Sequence, residues 1–284
     1  MNVAPQLAPP ASVLPAGRSE RIRTHSTHTL PIYTEHLLRG GVRSAAIWTA
    51  AVSAYLVALT LSFRQISPAV STTQYPEGLA RAFNISDMHS ITGFLSTEVF
   101  SFIPIIMAIY PILLAANAIA GAEERGQLDL PLGTPLSRKD LVLARAISAA
   151  ILILGMLATT AALGWLAGVV SGEDLPASTI FGASLALWPF MLFFGAVGLV
   201  ASALTHRFAT AMGATVGVLV VMYALDLIAR LAQKDAFGWF SAFHYYGTPM
   251  LDGVNWAGAV GMTLCAILLC GAAIVAFTRR DIYS

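Results

Sequence analysis

Charge is scarce in this 284-residue chain: Asp, Glu, Lys and Arg together make up 11% of it. A soluble domain carries about 25%, so the chain has less than half the charge needed to coat a water-facing surface. Lysine is nearly missing, with Lys139 and Lys234 against fourteen arginines. A net charge of +1 offers no electrostatic hook for nucleic acid. Cys265 and Cys270 alone cannot form a disulfide framework. Five residues apart on a helix, they point about 140° away from each other and suit packing rather than bonding. No G-x-x-x-x-G-K-[ST] phosphate loop occurs. The histidines are scattered, and His25-x-x-His28 alone does not define a metal site. Soluble enzymes, nucleic-acid binders and disordered scaffolds are all disfavoured.

What the chain has is apolar length: 57% of its residues are hydrophobic, and its mean hydropathy is +0.72. A helix rises 1.5 Å per residue and the hydrocarbon core is about 30 Å thick, so a span needs roughly 20 mainly apolar residues. Six stretches qualify, at about 44–63, 101–121, 147–170, 180–204, 209–231 and 256–277. Unpaired backbone is too costly in lipid, and these runs lack the alternation of barrel strands, so they read as helices. The expected fold class is therefore an all-α integral membrane protein with six transmembrane helices. Its domain division is a disordered tail over 1–30 and a membrane domain over 31–284.

The placement of Lys and Arg orients the spans. Arg18, Arg21, Arg23, Arg39, Arg43, Arg125, Arg138, Lys139, Arg145, Arg207, Arg279 and Arg280 fall on one side, and Arg64, Arg81, Arg230 and Lys234 on the other. Twelve against four puts both termini in the cytoplasm of a plasma membrane. The segment before the first span shows no secretory signal. From Pro31 to Arg43, Ile32, Tyr33, Leu37 and Leu38 alternate with Glu35, His36, Arg39 and Arg43, which suggests a short amphipathic helix on the inner surface or simply a basic flank of the first span.

Three loops exceed what a hairpin needs. The first outer loop, 64–100, contains a possible short helix at Pro76–Phe83. The last outer segment, KDAFGWFSAFHYYGTPMLDGVN, is rich in aromatics over 237–246 and suits an interfacial belt or a shallow re-entrant helix. The inner loop, 122–146, is the most charged stretch, with Glu123, Glu124, Arg125, Asp129, Arg138, Lys139, Asp140 and Arg145. Gly133 and Pro135 break the chain there. Ser137 is placed to cap a helix starting at Arg138, with Asp140 in its first turn. A loop that only joins two spans does not need such a helix, whereas a surface for a cytosolic partner would use one.

The run Ala118–Ile–Ala–Gly–Ala–Glu123–Glu124–Arg125–Gly126–Gln–Leu128, followed by Leu132–Gly–Thr–Pro135–Leu–Ser137–Arg138–Lys–Asp–Leu141, resembles bacterial permeases of type-2 ATP-binding-cassette exporters. In these a Glu-Glu-x-Gly stretch closes the second span, and a Pro-[Val/Leu]-Ser-Arg turn opens the third-span helix. Leu37–Leu–Arg39–Gly–Gly–Val–Arg43, Ser241–Ala–Phe–His–Tyr–Tyr246 and Phe277–Thr–Arg279–Arg280–Asp281 are similar to further elements of the family, with Ala242 where proline is common. The resemblance covers residue 31 onward. It implies a connecting helix before span one, a cytoplasmic coupling helix between spans two and three, a second permease chain (identical or not) and two cytosolic ATPase subunits. This chain would need no cofactor of its own, with ATP and Mg²⁺ on the partners. It also implies that Glu123, Glu124, Arg125, Gly126, Asp129, Pro135, Ser137 and Arg138 couple the chain to the ATPase, and that spans one, two and five line the dimer seam. An apolar lining favours export of an amphiphilic or hydrophobic cargo such as a drug, antibiotic or lipid.

Inside the spans, Asp226 is the only acidic group, and Arg230 lies one turn on. The pair can neutralise itself, or serve a substrate or a proton. Pro104, Pro111 and Pro189 permit kinks. Gly164-x-x-x-Gly168 and Gly213-x-x-x-Gly217 allow close helix contact, within a subunit or between subunits. Two other classes remain open. An ion-coupled secondary transporter would show more intramembrane polar groups. A membrane protease-like enzyme would pair Glu123 and Glu124 with Phe240-x-x-x-His244, but those groups are expected on opposite faces.

Overall fold

The structure, a computed structural model, describes residues 18–67, 88–127 and 137–280. The expected tail as far as residue 17, the short helix at Pro76–Phe83, and Asp129, Gly133 and Pro135 lie outside the described residues. Every regular element among the described residues is helical. Helix α1 is Arg18–Ile66, α2 Ile91–Leu95, α3 Ile103–Ala118, α4 Ala120–Glu124, α5 Arg138–Ser171, α6 Ala177–Leu204, α7 Phe208–Ala232, α8 Asp235–Gly238, α9 Ala242–Tyr246 and α10 Trp256–Arg279. Five are long and apolar enough to cross a membrane (α1, α5, α6, α7 and α10), and the bent pair Ile91–Phe100 and Ile103–Ala118 brings the number to six where it is counted as one span. The protein is a multi-pass, all-helical membrane protein.

Three boundaries differ from the sequence expectation. Helix α1 runs unbroken for 49 residues through Pro31, so the amphipathic stretch is continuous with the first span, and the segment expected as a tail is helical from Arg18. The helix capped by Ser137 is likewise no separate element. Ser137 Oγ accepts from Asp140 N at 3.1 Å, and the helix it starts runs on for 34 residues as the third span. A helix holds its course through polar residues as long as no breaker intervenes, and α5 contains no proline. The second span, by contrast, begins ten residues early, at Ile91, and is broken. Its first part ends in a π-helical turn, Ser96–Phe100, and bends by 43° into α3. Pro104 sits in the first turn of α3, where its missing N–H costs nothing; in a continuous helix its ring would meet the Phe100 carbonyl. The π turn upstream absorbs that mismatch.

Lipid tails are as apolar as leucine, so bundle packing here comes from dispersion and close approach rather than escape from water. Helix α6 is the centre: 61% of its apolar window is buried, against 22% for α7 and for α10. It packs against α3, α5, α7 and α10. Helix α1 lies along α5 through two notches. A Cβ on Gly41 would sit 2.5 Å from Leu152 Cδ1, and one on Gly164 would sit 2.5 Å from Leu56 Cδ2 and 2.8 Å from Ile180 Cδ1. Between them Ser53 Oγ donates to Thr160 Oγ1 at 3.1 Å, both buried. Gly164 and Gly168 are thus used within the chain, whereas Gly213 and Gly217 face open space.

The aromatic segment between α7 and α10 divides its duties. Phe237, Trp239 and Phe240 are exposed, but Phe243 and Tyr246 of α9 are buried. Phe243 meets Phe190 of α6 edge-on at 4.9 Å and Tyr223 of α7 at 5.4 Å, and Tyr246 lies 5.7 Å from Phe190. Ser241 Oγ fixes the segment by donating to Met222 O at 2.7 Å.

Candidate coupling face and the buried ion pair

At the end of the bundle where α4, α5 and α7 meet the C-terminus of α10, helix ends are finished by side chains from other helices. The first N–H groups and last carbonyls of a helix have no partner of their own and must find one elsewhere. The α3–α4 break shows the pattern. Ser202 of α6 is fully buried, and its Oγ accepts from Ile119 N (3.2 Å) and Ala120 N (2.9 Å) while donating to Ala116 O (3.2 Å). One hydroxyl there uses its full capacity. Helix α4 then closes at Gly126, in the left-handed region (φ 63°), with Gly126 N on Glu123 O and Gln127 N on Ala122 O, the paired bonds of a Schellman ending.

The two carboxylates of α4 reach different neighbours. Glu124 Oε2 accepts from Phe208 N at 2.8 Å, which caps the start of α7 where the helix dipole favours negative charge. Glu123 Oε1 lies 2.8 Å from His206 Nδ1 and Oε2 2.8 Å from Arg280 Nη2; Arg280 also touches His206. The other Arg280 nitrogen donates to Ala203 O (3.1 Å) and Thr205 O (2.8 Å), finishing the C-terminus of α6. Arg138 does the same for α10, donating to Phe277 O (3.3 Å) and Arg280 O (2.7 Å) with its guanidinium 5.6 Å from the Phe277 ring centre. Arg125 turns back to Asn117 Oδ1 at 3.0 Å. Arg125, Gly126, Gln127, Ser137 and Lys139 remain exposed.

The far end holds the second polar feature. Asp226, 4% exposed, pairs with Arg230 at 2.7 Å one helical turn on. Beside it is a cavity of about 30 Å³, the size of a water or two, lined by Ser96, Ser101, Tyr223, Tyr246 and Thr248 among others. The Tyr246 hydroxyl is buried without a hydrogen-bond partner. At the same end Arg64 donates to Gly172 O at 2.9 Å and pairs with Glu173 at 2.6 Å, tying α1 to the end of α5.

A six-span all-helical bundle with a charged, cross-capped end is compatible with several transport families. One comparison decides among them: the family model for ABC-2 family transporter proteins matches residues 36–282. The chain belongs to the ABC-2 transporter family. No curated protein matches it. Family membership makes it a membrane permease subunit and implies association with ABC ATPase subunits generally.

Within this ABC-2 chain, Glu123, Glu124 and Arg138 come together in the cross-capped end, joined by His206 and Arg280. Arg125 and Gly126 lie at its rim. Asp226 and Arg230 sit apart, near the opposite end of the 25-residue α7. His244, on α9, is at that far end too, because Ser241 is bonded to Met222. Glu124 at one end of α7 and His244 at the other cannot share a water, so the Glu–His pairing weighed for a membrane protease does not form.

Ser202, His206 and Arg280 were not singled out from the sequence. By sequence Arg280 is a basic flank and part of a family-like ending with no role assigned, and Ser202 is like any small residue in a span. A signal did exist. With six antiparallel spans, the second-to-third loop, the fourth-to-fifth turn and the end of span six share one side, so two adjacent carboxylates there must face the basic residues of the other two.

Proposed function

We propose that this ABC-2 chain is the membrane-spanning permease of an exporter driven by two separate cytosolic ATPase subunits that hold ATP and Mg²⁺, and that it works paired with a second permease chain. The basic end faces the cytoplasm under the positive-inside rule. Residues 125–139 form the docking surface, with Arg125, Gly126, Ser137, Lys139 and the intervening Asp129 and Pro135 at the contact. The observation that carries this reading is the cross-capping. Glu123 and Glu124 bind α4 to the α6–α7 turn and to the end of α10. A displacement of the docking surface therefore reaches spans four, five and six together. The open Gly213–Gly217 face of α7 supports contact with the second chain. The cargo is amphiphilic or hydrophobic, in keeping with the mainly apolar faces of the described spans.

Co-expression with the cognate ATPase separates docking from transmission. Charge reversal of the exposed Arg125 and Lys139 should lower copurification severalfold. Glu123→Gln and Arg280→Gln should leave copurification intact and reduce permease-dependent ATP hydrolysis in vesicles. Should reversal of both Glu123 and Glu124 leave copurification and hydrolysis unchanged, the role given to this face is wrong.

A further inference from the structure

A crevice of about 440 Å³ opens between α3, α5, α6 and α10. Its wall is almost wholly apolar, with Leu114, Ile153, Met191, Leu199, Ile267 and Cys270 among its residues. The one charged residue on it is Arg145. The Arg145 Nε is buried with no hydrogen-bond partner, and no ion pair to its guanidinium occurs among the described residues. Arg145 as a whole is half-buried, and a charged residue within a span normally has a partner. No described residue supplies that partner, and an anion from outside the chain would.

Position and shape narrow its identity. Arg145 lies seven residues past the start of α5, about 10 Å along it, and Ile153 is about 12 Å deeper. The crevice thus begins near the level of headgroups at the basic end and descends into the hydrocarbon. A free inorganic anion would gain nothing from the apolar wall below Arg145. An extended acyl chain is narrow enough to enter the crevice. Leu143 and Ile267, both exposed, leave the crevice open sideways to lipid. The guanidinium fork matches phosphate oxygens in pairs, and anionic lipids concentrate where basic residues flank a membrane.

We propose that this crevice binds one anionic phospholipid, its phosphate on Arg145 and an acyl chain along α5. The proposal does not rest on the transport reading. Its test is native mass spectrometry of the full chain in mild detergent, offered equal amounts of phosphatidylglycerol and phosphatidylcholine with the same acyl chains. Wild-type protein should retain one phosphatidylglycerol in at least tenfold preference. Arg145→Gln should bring the ratio close to one, Arg145→Lys should keep part of the preference, and Ala149→Phe, which fills the crevice, should lose both lipids. Melting temperature and monodispersity check that each variant is folded. Equal retention of the two lipids by wild-type protein overturns the proposal without any variant, and so does an undiminished preference in folded Arg145→Gln.

Discussion

Asp226 and Arg230 show how one residue constrains another in lipid. A carboxylate within a span is tolerated when it is paired, and an acid followed by a base one turn later meets that need within its own helix. Asp226 is nearly buried, while the Arg230 side chain keeps 26% of its surface exposed, so the pair spans the boundary between bundle and surface. Removing either partner leaves the other charged and alone. Asp226→Asn and Arg230→Gln should each lower the melting temperature in detergent. The double variant should be more stable than the sum of the two predicts, with a coupling energy of about 0.5–3 kcal/mol. Transport near the wild-type level in Asp226→Asn goes with a structural pair. A folded but inactive Asp226→Asn would make the pair a substrate or proton site. Ser202 is the contrasting case, in which a neutral hydroxyl holds a broken helix together from a neighbouring one.

Among the helices, glycine spacing acquires meaning only once neighbours are known. Gly164-x-x-x-Gly168 and Gly213-x-x-x-Gly217 look alike as sequence, yet the first is occupied by Leu56, Ile180 and Leu175 and the second meets nothing within 4 Å. Gly164→Leu should therefore impair folding of the single chain. Gly217→Leu should leave the chain folded and weaken association of permease chains, which light scattering or cross-linking in membranes would register. Failure of Gly217→Leu to alter association would remove α7 from the dimer seam. The same contrast marks how far the sequence could be read. Six apolar runs and the Ser137 cap are local properties, set by hydropathy and by a hydroxyl three residues from its donor, and they were legible. The break at Ser101–Phe102 was half legible, since Pro104 marked a kink but not the π turn before it. For Glu123 and Glu124 only the side was legible, through the topology that brings the basic residues of two other connections to it; which residues pair was not, because His206, Phe208 and Arg280 lie 83, 84 and 157 residues away and nothing in their local pattern distinguishes them.

At the scale of the whole molecule, the two ends differ in kind. One end is basic and cross-capped. The other is held by Arg64 on Gly172 and Glu173 and by an aromatic segment that is partly plugged into the bundle and partly exposed. The orientation argued from charge can be checked on intact cells. In a chain with Cys265 and Cys270 replaced by alanine, a single cysteine at position 252 should react with a membrane-impermeant thiol reagent, and one at position 139 only after permeabilisation. The reverse pattern would turn the protein over and detach the basic end from any cytosolic ATPase.

The capping pattern also bears on the order in which the protein can be completed. Chains are made from the N-terminus, and Glu123 is in place 157 residues before the arginine that neutralises it. Glu123 Oε2 waits for Arg280 through the synthesis of spans three to six, with His206 reaching only Oε1, and the end of α6 waits from its own completion through spans five and six. Arg280 then satisfies both at once, while its own carbonyl and that of Phe277 are taken up by Arg138. A nascent chain stopped short of residue 280 has its spans but an unfinished face. The basic end is thus ready to receive a partner only once Arg280 has been made.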